Sequence, residues 1–228
     1  MKSIKPRGLL IGNKKFQLVG PKGKKSKEIN INQTKKIKRM FEQSSRIVEK
    51  GIDSVRWSNK GYSIKPYFHD LFLKKLMEVK NKNKKVLIIG QAFGYEAKYI
   101  KQKAKRVTID TFDIIDTTNK DYKKYINKEI IFDKGIENYQ NKEMVGKYDA
   151  ITSAFGLGYY TLNTARNIVK TSLMLKPGGI LFLNTFSSLP KQEIKEINKY
   201  FKSLKLDNIF IPELIENGNI IIITRKKD

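Results

Sequence analysis

Short apolar runs alternate with segments of helical periodicity from Lys85 to the C-terminus, and this alternation constrains the fold more than any other feature. Strands that are separated by helices require right-handed crossovers, which produce a mostly parallel, doubly wound sheet. The last two runs are joined through Glu216–Gly218 and instead predict an antiparallel hairpin at one edge. The predicted strands are VLIIG, RVTID, EIIF, YDAITSAF, GGILFLNTF, NIFIPELI and NIIIITR. We therefore predict an α/β fold.

The 228 residues are enough for one compact domain with a short extension. We divide the chain into a basic N-terminal extension, 1–29, and a domain, 30–228, whose first part, 30–83, supplies N-terminal helices. In the extension, apolar runs around Gly12-Asn13 predict a hairpin, and PKGKKSKE predicts an exposed loop. His69 is the only histidine and lies on the apolar face of a helix predicted to start near Pro66, so we interpret it as a structural residue.

The formal net charge of +25 favours a polyanionic partner such as nucleic acid over a small neutral substrate. Codon drift in an AT-rich genome also enriches lysine, but it does not explain where the charge lies. Residues 1–39 hold thirteen Lys and Arg and a single acid, Glu28. We therefore predict RNA as a partner and leave a further protein partner open.

Several classes of protein are excluded or disfavoured by what the sequence lacks. The absence of cysteine excludes disulfides, thiolate zinc sites and cysteine nucleophiles. No apolar run approaches the roughly 20 residues that cross a bilayer, and the N-terminus has no secretory signal pattern. We expect a soluble, cytoplasmic protein without a membrane segment or a metal.

A glycine-containing loop follows the first predicted strand, in KKVLIIGQAFGYEAKYI. Gly90 and Gly94 allow a sharp backbone turn and a close approach to a ligand at the carboxyl edge of the sheet. Asp110 follows Gly90 by twenty residues, where an acid ending the second strand would accept hydrogen bonds from a ribose. A dinucleotide site is the first alternative, but the loop has no third glycine in the expected position.

Four segments, VLIIGQAFG, VTID, YDAITSAFGLGYY and LKPGGILFL, together resemble the successive motifs of class I S-adenosylmethionine-dependent methyltransferases. The resemblance covers about residues 84–225, and LKPGG before a strand is its most specific part. It implies a Rossmann-like methyltransferase fold with S-adenosyl-L-methionine as the cofactor.

The resemblance also assigns candidate site residues. It implies a ribose contact through Asp110, with Asp113 as a substitute, and an adenine contact through Asp133 or Glu137. Ile88 and Ala92 depart from the family pattern, because many members have an acid and a glycine at these positions. The implied cofactor loop is Gly90, Gln91, Ala92, Phe93 and Gly94, and the residues implied to face the methyl group and the substrate are Ser153, Ala154 and Phe155.

Two RNA chemistries remain open for the methyl acceptor. The Gly-x-Ala-x-Gly loop resembles FtsJ-like ribose 2'-O-methyltransferases, which implies Lys65 as a base, although Ala154 and Asn184 stand near the places of other catalytic residues. The AFGLGYY run resembles messenger-RNA cap guanine-N7 methyltransferases, which implies that Tyr159 shapes a guanine pocket. The candidate catalytic residues are Lys65, Ser153 and Tyr159.

The sequence thus predicts an S-adenosylmethionine-dependent methyltransferase that acts on RNA, with a cap or ribosomal RNA as the target. One alternative is a catalytically silent methyltransferase-like subunit that binds RNA or stimulates a partner enzyme. A small-molecule methyltransferase is the third.

Overall fold

A computed structural model of the chain describes most of the residues from Phe68 onwards. Two N-terminal strands, 15–19 and 25–30, are described as backbone. The other described residues are 68–91, 94–113, 116, 118, 120–131, 136, 142–154, 156–159, 164–184, 190–215 and 220–227.

The main sheet contains seven of the described strands, in the order β5-β4-β3-β6-β7-β9-β8. Its strands are β3 (Lys84–Ile89), β4 (Val107–Asp113), β5 (Lys128–Ile131), β6 (Tyr148–Ser153), β7 (Leu175–Asn184), β8 (Phe210–Ile215) and β9 (Ile220–Arg225). The helices are α1 (Phe68–Glu78), α2 (Tyr95–Lys103), α3 (Lys120–Lys123), α4 (Gly156–Tyr159), α5 (Thr164–Ser172) and α6 (Pro190–Ser203). A 3₁₀ helix spans Lys142–Met144.

The five strands β3 to β7 are parallel, whereas β9 runs antiparallel to both of its neighbours, β7 and β8. The predicted α/β class, the doubly wound sheet and the antiparallel edge hairpin are therefore confirmed.

Both faces of the sheet are buried, which explains the continuous apolar runs of the central strands. Val86 and Ile88 of β3 pack in one cluster with α1 and α2, through residues such as Phe72. Leu87 and Ile89 face the other way and pack in a second cluster with α5 and α6. Because alternate residues of a strand point to opposite faces, helices must cover both sides of this sheet.

The LKPGG segment forms an irregular start of β7. Tyr148 pairs with Leu175 but Ala150 pairs with Ile180, so β7 carries extra residues here. A Cβ on Gly179 would lie 3.0 Å from the Asp149 carbonyl oxygen, which requires glycine. The motif therefore serves to bring β7 against β6.

The N-terminal prediction needs correction. β1 (Lys15–Val19) pairs antiparallel with β2 (Lys25–Asn30), so half of the predicted PKGKKSKE loop is strand. The turn predicted at Gly12-Asn13 lies outside the described residues. The part of the predicted N-terminal helices that precedes Phe68 lies outside the described residues, and α1 is described from Phe68. No helix in the described segments is long and apolar enough to span a membrane.

Candidate functional site

The strand order reverses between β3 and β6, because β4 and β5 follow on one side of β3 and β6 follows on the other. Loops that leave two such strands at their carboxyl ends turn in opposite directions and open a crevice between them. Ligands of doubly wound sheets bind in this crevice. The loop after β3 and the loop after β6 therefore define the candidate site.

Both glycines of the β3 loop have backbone conformations that favour glycine. Gly90 has a φ of 73°, and its N–H donates to the Phe112 carbonyl oxygen over 2.9 Å. Gly94 begins α2 with a φ of 93°, and a Cβ there would lie 3.0 Å from Thr118 Cγ2 and 3.1 Å from Tyr122 Cβ. The sharp turn predicted from Gly90 and Gly94 is thus confirmed. Ala92 and Phe93, at the loop centre, lie outside the described residues.

Gly156 brings the two loops into contact and was missed in the sequence. A Cβ on this residue would lie 2.6 Å from the Ile89 carbonyl oxygen and 3.1 Å from Gly90 Cα. Backbone therefore packs directly on backbone at the base of the crevice. The available signal was the first glycine of AFGLGYY, which follows the end of a predicted strand as Gly90 does.

Ser153 ends β6 and joins the same contact through its fully buried side chain. Its hydroxyl donates to the Ile89 carbonyl oxygen over 3.0 Å and accepts from the Leu157 N–H over 2.8 Å. The hydroxyl thus fixes the end of β3 and the start of α4. These bonds position the two segments relative to each other, and a catalytic role for Ser153 stays a prediction. Ala154 follows it and is also buried.

Gln91 is the polar side chain of the loop that the structure describes, and it is 8% exposed. Its Nε2 donates to Thr118 Oγ1 over 3.0 Å, which ties the β3 loop to the segment after β4. Its Oε1 is buried and has no hydrogen-bond partner among the described residues. A buried acceptor without a donor is uncommon in native proteins, and a bound water, ion or ligand is one way to satisfy it.

Asp110 is not at the end of its strand, contrary to the sequence prediction. β4 continues to Asp113, and Asp110 pairs with Leu87 in the middle of the sheet. Its fully buried carboxylate accepts from Tyr148 Oη and Asn127 Nδ2, both over 2.9 Å, and lies 3.1 Å from Lys85 Nζ. With no exposed surface and three partners, this carboxylate has a structural role.

Asp113 occupies the position that was expected of Asp110. It ends β4, is partly exposed and lies one residue beyond Phe112, which pairs with Ile89. It is therefore level with Gly90 at the carboxyl edge of the sheet.

The other predicted site residues cannot be placed by their side chains. Lys65, Asp133 and Phe155 lie outside the described residues, as does Glu137, and Tyr159 is described only as the last backbone residue of α4. Asn184 ends β7 on the same edge and is 5% exposed.

A buried acid lies beneath the β3 loop, in the first turn of α2, and sequence reasoning did not find it. Glu96 Oε1 accepts from Thr152 Oγ1 over 3.0 Å and lies 3.8 Å from His69 Nδ1. Burial raises the pKa of Glu96 to about 7 and lowers the pKa of His69 to about 4. Near neutral pH His69 is therefore uncharged, so the pair is not a salt bridge, and the prediction of a structural histidine is consistent with its burial.

Among the described residues, no group of three or more His, Asp or Glu side chains could hold a metal ion. The described part of the site consists of backbone, glycines and a few polar side chains.

Comparison with known proteins gives a fold but no sequence family. No family model matches the chain, and no curated protein matches it. Solved structures do match. A Methanococcus maripaludis protein assigned to the S-adenosyl-L-methionine-dependent methyltransferases has a TM-score of 0.55 at 15% identity, covering 84% of this chain and 94% of that one.

Two further neighbours have similar scores. A TehB-like SAM-dependent methyltransferase from Corynebacterium glutamicum has a TM-score of 0.55 at 11% identity, covering 84% of this chain and 98% of that one. The plantazolicin methyltransferase BpumL, in complex with SAH, has a TM-score of 0.53 at 12% identity, covering 84% and 96%. The fold is that of the class I S-adenosylmethionine-dependent methyltransferases.

Proposed function

We propose that the chain is an S-adenosylmethionine-dependent methyltransferase with its cofactor in the crevice between β3 and β6. The observation that carries this proposal is the glycine geometry: Gly90, Gly94 and Gly156 bring bare backbone to the topological switch point. The same fold in BpumL holds SAH, the product form of this cofactor.

The residues of the crevice suggest how the cofactor is held. The loop Gly90–Gly94, with Gln91, Ala92 and Phe93, lines the amino-acid end, and the free Gln91 Oε1 is an acceptor for a ligand N–H. We assign the ribose hydroxyls to Asp113 in place of Asp110, and we keep Asp133 for the adenine. Ala154 and Phe155, after β6, are assigned to the methyl-facing side.

The chemistry divides between cofactor and chain. The cofactor supplies an electrophilic methyl group, and the transfer is an in-line displacement whose rate depends strongly on positioning. Ser153 and Gly156 fix the two loops relative to each other, because the Ser153 hydroxyl bonds to residues of both. This arrangement holds the wall of the crevice rigid while the acceptor binds beside it.

RNA is the acceptor that we propose. Residues 68–228 hold 29 Lys and Arg against 18 Asp and Glu, so the domain is basic even without its N-terminal part. Such an excess attracts polyanions. The neighbour BpumL is a plantazolicin methyltransferase, so the fold by itself does not select RNA.

The acceptor atom is tested with two substitutions. A ribose hydroxyl must lose a proton, so Lys65→Ala should reduce turnover by about 100- to 10,000-fold if Lys65 is the base. Guanine N7 needs no base, so in that case Lys65→Ala should have little effect and Tyr159→Ala should impair transfer. We favour guanine N7, because Asn184 and Ala154 do not supply the other charged residues of a ribose site.

The assay is transfer of a labelled methyl group from S-adenosylmethionine to capped and uncapped RNA, with the modified nucleoside identified by mass spectrometry. Methylated RNA supports the proposal. RNA binding without transfer would instead support a silent methyltransferase-like subunit, and transfer to small acceptors alone would overturn RNA as the substrate.

A further inference from the structure

A groove of about 410 Å³ opens on the opposite edge of the sheet from the crevice. Its floor is apolar and consists of Val79, after α1, together with Ile180 of β7 and Ile222 of β9. Gly178, at its end, lies in the amino-terminal half of β7, whereas Asn184 ends that strand at the crevice. A separation of six residues along the strand places the groove about 20 Å from the carboxyl edge of the sheet, at roughly 3.3 Å per residue.

Cations line both sides of this basic groove. Lys75 and Lys80 lie on the α1 side, and Arg225, Lys226 and Lys227 lie on the side of β9. The described lining contains five cationic side chains and two acidic ones, Glu78 and Glu213. Opposed cations repel each other until an anion lies between them, so the arrangement favours an anionic ligand.

The charges available to a ligand are on both sides. Lys75 pairs with Glu78 over 2.9 Å, and the Arg225 Nη1 donates to the Leu175 carbonyl oxygen over 2.7 Å. Lys80, Lys226 and Lys227 are exposed, and within the described segments none of them has an acidic partner. Glu213 is the second acid of the lining.

The C-terminal side of the groove is held in place by backbone contacts. The Lys226 N–H donates to the Ile209 carbonyl oxygen over 2.8 Å, and the Lys226 carbonyl oxygen accepts from the Gly178 N–H over 3.3 Å. The stem of Lys227 lies over Gly178, where its Cε would be 3.2 Å from an added Cβ. These contacts anchor the backbone of Lys226 and the side-chain stem of Lys227, while both side chains remain exposed.

We propose that the basic groove binds the phosphodiester backbone of RNA. The inference rests on the RNA acceptor proposed above and adds a second contact, remote from the methylated nucleotide. The described lining contains no aromatic side chain on which a base could stack, so we expect recognition of phosphates without base preference. The groove would then orient the strand, while the crevice selects the nucleotide.

The test measures binding of a labelled single-stranded oligoribonucleotide by the full chain at several salt concentrations. Lys226→Glu with Lys227→Glu should weaken binding about tenfold at low salt. It should also flatten the slope of log K against log salt by about 1.4, since each phosphate contact contributes roughly 0.7. Lys80→Glu, across the groove, should weaken binding and flatten the slope by about half as much.

The matched control is Lys199→Glu with Lys202→Glu on α6, which reverses the same number of exposed charges. A larger effect in the groove variants than in this control supports the proposal. Equal effects would show diffuse attraction and overturn it, as would competition by a mononucleotide as strong as that by RNA.

Affinity for S-adenosylhomocysteine is measured on every variant and should not change. The groove variants and the α6 control could weaken RNA binding equally while the wild-type chain still methylates RNA. In that case the groove proposal fails and the proposed function stands. If the wild-type chain binds no RNA, both the groove proposal and the RNA acceptor are overturned. The proposed cofactor site is then tested separately by the affinity for S-adenosylhomocysteine.

Discussion

Exchange of Glu96 for Gln should change how stability depends on pH. The pKa of Glu96 is raised to about 7 in the folded chain, largely because the side chain is buried, from an ordinary value of 4.5. Between these two pH values the folded state holds a proton that the unfolded state has released. Stability must therefore fall as the pH rises through this window, and the fall is complete above about pH 7.

The size of the effect follows from the two values. The pKa of Glu96 differs by about 2.5 between the folded chain, about 7, and its ordinary value, 4.5. At about 1.4 kcal/mol for each pH unit, this difference corresponds to about 3 kcal/mol of unfolding free energy. Gln resembles the protonated acid, and its amide can still bond to Thr152 Oγ1. We expect Glu96→Gln to be about 1 kcal/mol more stable than the wild type at pH 5, where the unfolded acid is already largely ionised, and up to about 3 kcal/mol more stable at pH 8.

The difference between the two proteins isolates this one group. The pKa of His69 is lowered to about 4 by burial, and the pKa of Glu193 is raised to about 7 by burial and by Glu196. To a first approximation these groups titrate alike in both proteins, so their contributions largely cancel in the difference. Urea unfolding of both proteins from pH 5 to pH 9 measures the difference in their unfolding free energies. The control is Glu78→Gln, which changes a carboxylate in an exposed surface ion pair. A gap between Glu96→Gln and wild type that does not change with pH would refute the argument.

Four further outcomes are expected. Asp113→Ala should weaken S-adenosylhomocysteine binding by about 1–3 kcal/mol in calorimetry, whereas Asp110→Asn should lower the melting temperature more than the affinity. Ser153→Ala should cost about 1–3 kcal/mol of unfolding free energy, because a buried carbonyl and a buried N–H lose their partner. Gly156→Ala should be more destabilising still, since a Cβ would clash with the Ile89 carbonyl oxygen, and thermal unfolding would show it. Deletion of residues 1–29 should flatten the salt slope of RNA binding, and an unchanged slope would remove the basic extension from the interface.

The strands and the loop glycines were predictable because their causes are local. Strands buried on both faces need continuous apolar runs, and β3 and β6 have them. The turns at Gly90 and Gly94 need conformations that side chains rarely adopt, so glycine at these positions is informative by itself.

The errors fall where the cause is remote in the sequence. The spacing of twenty residues from Gly90 predicted Asp110 as a strand end, but its partners Asn127 and Tyr148, which bury it within the sheet, are 17 and 38 residues away. Gly156 contacts the end of β3, which no local pattern reveals. The exposed loop predicted at PKGKKSKE was half wrong, because Lys25 and Glu28 pair with Val19 and Gln17 of the preceding strand.

The most direct test of the cofactor site is calorimetric titration of the full chain with S-adenosylhomocysteine, on the wild type and on two glycine variants. Gly94→Ala places a Cβ in the β3 loop, 3.0 Å from Cγ2 of Thr118 in the segment after β4. Gly146→Ala is its matched control, because Gly146 also has a positive φ, 63°, and lies before β6, away from the crevice, where an added Cβ would make an ordinary contact of 3.8 Å with Arg225 Nη1. We expect the wild type and Gly146→Ala to bind S-adenosylhomocysteine. Gly94→Ala should bind it at least about tenfold more weakly, which is equivalent to about 1.4 kcal/mol. Absence of binding by the wild type, or equal affinity in both variants, would contradict a cofactor site at this loop.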